Sequence, residues 1–170
     1  MDRVSDVKDL SGMSEAVLAQ AIEDCVQQVH LDSSQTAIDR LRAGDTLVCE
    51  HCSRSLAAQV AACLGALDEN IQAAYLCDYD PPTELACSEE AGRALPIHLI
   101  VQATRKTAAL HAVVETWERA LTRRYAELVG RRPARMLDVQ VVDASDVARR
   151  VGYGAMLASQ HHSPTEVWKR

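Results

Sequence analysis

The sequence predicts an α/β or α+β chain, with a small mixed β-sheet of about three strands or more, covered by helices and preceded by further helices. Three observations carry this expectation. Residues 104–129 hold Leu110, Val113, Val114, Trp117, Leu121, Tyr125 and Leu128 at three- and four-residue steps, the pattern of an amphipathic helix. Two short apolar runs, 96–102 and 136–142, flank that helix and read as strands. A third run, 71–79, is apolar enough for a largely buried strand and is closed by Pro81 and Pro82, which cannot donate to a ladder.

From the N-terminus, residues 1–12 are polar and read as a leader. Ser14 is the expected N-cap of a helix over 14–29, with Val17, Leu18, Ile22, Cys25, Val26 and Val29 on one face. Asp32, Ser33 and Ser34 punctuate, and a shorter helix with Ala37, Ile38 and Leu41 stops at Gly44. Residues 47–52 read as an apolar connection. Ser53 then caps a helix bearing Leu56, Val60, Cys63, Leu64 and Leu67, with Gly65 near its end. After the strand at 71–79, residues 83–93 are acidic and read as a loop. The first two strands form an antiparallel ribbon around it. The long helix, ended by Gly130, makes a crossover to a parallel third strand. Ile97, Leu99, Val101, Val139 and Val141 are expected in the core by their alternation. Asp143 or Ser145 caps a further helix. The tail carries Val167 and Trp168, which can pack back. The implied division is an N-terminal helical extension (1–52), an α/β domain (53–159) and a tail (160–170).

Composition narrows the function. The chain has 170 residues, 48% of them apolar, and a formal charge of -6. An acidic domain lacks the basic face that neutralises phosphates, so no nucleic-acid partner is expected. Arg123, Arg124, Arg131, Arg132 and Arg135 cluster near one helix end, where cations complement the helix dipole. No apolar window reaches the roughly 18 to 20 residues of a membrane span, and residues 1–8 lack a signal-peptide core, so a cytoplasmic protein with reduced thiols is expected.

The order helix, strand, strand, helix, strand, and the wording of the strands over residues 53–151, resemble minimal nucleotidyltransferase domains. In that family the first strand ends in Gly-Ser, the second carries Asp-x-Asp, and the third carries another acid. These acids hold magnesium against the nucleotide phosphates. Here Cys77-Asp78-Tyr79-Asp80 stands in place of Gly-Ser, Pro96 and His98 in place of the aspartates, and only Asp138 matches the third acid. The resemblance therefore implies a scaffold with a degenerate active site and a cleft lined by Asp78, Asp80, His98 and Asp138. The expected function is a non-enzymatic binding or regulatory domain for a protein partner or small ligand, without a cofactor and with self-association left open.

Two alternatives stand beside it. Asp78, Asp80 and Asp138 could form relocated acids for magnesium, which would make the chain an enzyme. Cys49-x-x-Cys52, with His51 between, has the spacing of half a zinc site or of a redox pair, and a thiol just before a helix N-terminus has a lowered pKa. No Ser-His-Asp order, P-loop or dinucleotide fingerprint is present.

Overall fold

The computed structural model describes residues 3–77, 97–130, 136–159 and 164–170, with side chains from residue 12 onward. In chain order the elements are α1 (Arg3–Val29), α2 (Ser34–Ala43), α3 (Thr46–Leu67), β1 (Ile71–Leu76), β2 (Ile97–Ala103), α4 (Ala108–Val129), β3 (Leu137–Asp143), α5 (Ala144–Arg149), α6 (Tyr153–Leu157) and β4 (Thr165–Lys169). No helix among the described residues is long and apolar enough to cross a membrane.

The strands form one mixed sheet in the order β3-β2-β1-β4. β1 and β2 pair antiparallel, and β2 and β3 pair parallel through α4, as the alternation of elements implied. Ile97, Leu99, Val101 and Leu137 point into a core shared with α1, α3 and α4. The opposite face carries a smaller cluster of Cys77, Ile100 and Val142, covered by Val147, Met156 and Leu157 from α5 and α6.

Local chemistry explains the ends. The Ser33 hydroxyl caps α2 by accepting from the Thr36 amide, and Gly44 closes it at φ 74°, a left-handed conformation that costs glycine nothing. Thr107 caps α4 by accepting from the Leu110 amide, and Gly130 ends it at φ 73°. Asp143 and Asp146 form a reciprocal capping box at the start of α5.

Several expectations change. α1 begins at Arg3, so Ser14 is a fully buried position within the helix rather than its cap; no proline interrupts the run, and one glycine costs only about 1 kcal/mol. α3 begins at Thr46, capped by Asp45, whose carboxylate accepts from the Val48 amide. Residues 47–52 are therefore helix, Ser53 is not a cap, and the boundary between 52 and 53 lies inside α3. Gly65 does lie in the last turn of α3, three residues before the Asp68 C-cap, but its role is packing: it sits under the Trp168 indole, where any Cβ would collide with the ring. The tail is β4, paired antiparallel with β1. Its last residue ties the layers together. The Arg170 guanidinium donates to the carbonyls of Gly65 and Ile71, and its amide donates to the Gln72 carbonyl. Finally, Val139 and Val141 touch the core but remain half-buried, because β3 lies at the end of the sheet.

Trp168 is the aromatic anchor of β4 on α3. Trp168→Ala should cost about 2–3 kcal/mol, below the 3–5 of a fully buried tryptophan because the ring is half-buried. Chemical denaturation checks this. A loss under about 0.5 kcal/mol, the range of an ordinary surface change, would show that β4 adds no packing.

Candidate functional site

The sheet face opposite the main core is where polar side chains converge. In-register pairing puts His98 of β2 beside Asp138 of β3. Their side chains meet, with Nδ1 3.2 Å from Oδ2. Gln140, two residues along β3, donates its amide to Asp138 Oδ1 at 2.9 Å. The His98 side chain is 36% exposed and that of Asp138 17%, so the pair is open to solvent on the imidazole side. A carboxylate can only accept, so the proton in this contact sits on Nδ1, which leaves Nε2 as the ring nitrogen not engaged by Asp138. That nitrogen can accept a proton, take a hydrogen bond from a ligand, or ligate a metal.

One neighbour was missed from the sequence. Leu76 pairs with Leu99, so the next residue of the chain after β1, Cys77, stands opposite His98, and its amide donates to the His98 carbonyl at 2.9 Å. Cys77, His98 and Asp138 thus form a row across three strands on one face. The sequence separations, 21 and 40 residues, give no hint of it, and only the register reveals the row. Along the same face Tyr75 donates to Gln102 at 3.3 Å. Burial and then the nearby Glu166 carboxylate hold the Tyr75 phenol above its ordinary pKa.

Asp78 and Asp80 lie outside the described residues, as do Pro96, Cys87, Arg131, Arg132 and Arg135. Of the basic cluster, Arg123 lies 3.8 Å from Glu127, and Arg124 pairs with both Glu15 and Glu127. These cations are neutralised locally.

The Cys49–Cys52 pair departs from expectation. Both residues are buried inside α3, three apart on the face turned to α1, not ahead of a helix N-terminus. Burial, followed by the nearby Cys25 and Cys49 thiols, pushes Cys52 up to about 12, the opposite of an activated thiol. Cys25 donates weakly to the Val48 carbonyl at 3.6 Å, and its pKa is raised mainly by burial. His51 turns to Gln28 of α1 at 3.0 Å. Among the described residues no group of three or more His, Cys, Asp or Glu side chains is placed to hold a metal ion.

At the carboxyl ends of β2 and β3 the chain is closed by charge. Lys106 reaches Asp146 at 2.6 Å, and Asp146 also accepts the Asp143 amide. A separate cleft of about 440 Å³ opens on the helical layer between α1, α2 and α4, floored by Leu18, Ile22, Ile38 and Leu128. No family model matches this chain, and no curated protein or solved structure matches it.

Two measurements follow from these environments. Native protein at neutral pH should leave Cys25 and Cys52 unmodified by iodoacetamide, while unfolded protein labels both; native labelling of Cys52 at the unfolded rate would contradict its burial. The acid response has a definite sign. The Lys106 hydrogen bond, followed by the Asp143 amide, lowers the Asp146 pKa; the Asp146 amide, followed by Ser145, lowers that of Asp143. Their contribution is present above the unfolded value of about 3.9 and is lost as pH falls through the lower native values. Asp146→Asn should melt lower than the parent at neutral pH and lose less on going from about pH 5 to 2.5. Parallel melting curves for the two proteins would remove Asp146 from the acid transition.

Proposed function

We propose that this chain is a non-enzymatic binding domain on a degenerate nucleotidyltransferase-like scaffold, with the ligand or partner recognised over the open sheet face at His98 and Asp138. One observation carries the reading. Asp138, the acid that matches the family pattern, is held by His98 on one side and Gln140 on the other. A carboxylate so engaged is suited to fixing an imidazole as a recognition group. Magnesium demands near-octahedral oxygen ligation, and the two partners described on Asp138 are an imidazole and an amide rather than further carboxylates.

The test uses purified full chain, each ribonucleoside triphosphate and magnesium or manganese. No transfer product should form. Any binding should shift the His98 ring resonances equally with magnesium and with chelator. Metal-dependent transfer lost in Asp138→Ala would defeat this proposal and favour the relocated-acid enzyme.

A further inference from the structure

The two edges of the sheet are unlike. β4 is a guarded edge: five residues, a register irregularity opposite Ala74 and Tyr75, and the charged pair Glu166 and Lys169. Short length, bulges and charge are devices that prevent edge pairing. β3 has a weaker guard. It runs seven residues, Leu-Asp-Val-Gln-Val-Val-Asp, in unbroken register with β2, and contains no proline and no lysine.

The direction of its backbone groups follows from one bond. The Ile97 amide donates to the Met136 carbonyl, so residues 136, 138, 140 and 142 face β2. Leu137, Val139, Val141 and Asp143 then turn their amides and carbonyls outward. Asp143 agrees, since its outward amide is taken by the Asp146 carboxylate. For Leu137, Val139 and Val141 no strand among the described residues lies on that side. The same edge exposes apolar surface, because Val139 and Val141 are half-buried where Leu99 and Val101 are fully buried.

We propose that β3 pairs antiparallel with β3 of a second copy, about a two-fold axis at Gln140, making one continuous sheet across a homodimer. The strand is self-complementary about that residue. Val139 of one copy meets Val141 of the other, both in the outward set, so each exchanges amide and carbonyl bonds with its counterpart. Their half-buried side chains then cover one another. Asp138 falls opposite Val142, and Leu137 opposite Asp143, so no carboxylate faces a carboxylate. Gln140 meets Gln140 as a non-hydrogen-bonded pair on the open face, which brings the two His98–Asp138 pairs onto one surface. The proposal does not depend on the function assigned to that surface.

Sedimentation of the full chain over a micromolar range should show a reversible dimer. Gln140→Lys opposes two ammonium groups at the axis, while within each chain the new charge sits beside the Asp138 carboxylate. The dimer should weaken about fivefold, the upper cost of directly opposed like charges, with an unchanged thermal melt of the monomer. Non-hydrogen-bonded partners have Cα atoms about 4.5 Å apart, within disulfide reach. Gln140→Cys should therefore cross-link between chains on mild oxidation, whereas the parent and Val139→Cys should not. A monomeric parent overturns the proposal. So does a dimer indifferent to Gln140→Lys, or one in which Gln140→Cys fails to cross-link, since either places the contact or the axis elsewhere.

Discussion

The rest of the structure depends on α3 being buried along two sides. Val48, Cys52, Leu56, Val60, Ala61 and Leu64 are all essentially inaccessible and belong to one core with α1, the sheet and α4. A helix that is apolar nearly all round is stable only between two layers. α1 supplies one layer and the sheet the other. This sets the position of every later element. β1 follows directly from the Asp68 turn, Gly65 leaves room for Trp168, and Arg170 donates to the Gly65 carbonyl at the end of α3. The buried thiols are a by-product of the same demand. In so tight a contact, cysteine serves as a small apolar residue with a weak donor.

Burying one face of the sheet under these helices leaves the other face for polar chemistry. β2 and β3 alternate without interruption, so every second residue is committed to the core, and His98, Gln102, Asp138 and Gln140 are carried to the opposite side. α5 and α6 cover Ile100, Val142 and Cys77 there. The polar row is thus a direct consequence of strand period and register. The Asp143–Asp146 capping box and the Lys106 bridge close the far end of the parallel pair.

Much of this was legible in the residues themselves. The spacing of Leu110 through Leu128 is long and regular enough to specify α4, and Gly44 and Gly130 mark helix ends because a left-handed residue is required there. Helix between strands made β2 and β3 parallel. Where the reading failed, local signals were ambiguous. Ser14 and Ser53 are good caps, but a serine inside a helix bonds its own turn and gives no outward sign of it. Leu-Val-Cys-Glu-His-Cys holds β-branched and thiol residues that suit a connection as well as a helix buried on both sides. Thr165 to Lys169 is too short and too charged to announce a strand, and becomes one only because β1 has a free edge and α3 has a glycine under Trp168.

The sequence by itself determined the class of fold, the mixed sheet, and the identity of the side chains that line its faces, because amphipathic period and turn chemistry are local properties. The tertiary structure alone decided which of those side chains meet. Cys77, His98 and Asp138 come from three strands separated in the chain, and their adjacency depends on register, which the packing of Leu76, Leu99 and Val139 against the helices selects. The same packing decided that Cys49 and Cys52 are interior residues of α3, since a pair of thiols three apart is equally compatible with a metal knuckle and with a buried helix face. Burial is a property of what lies opposite, and what lies opposite Cys52 is α1.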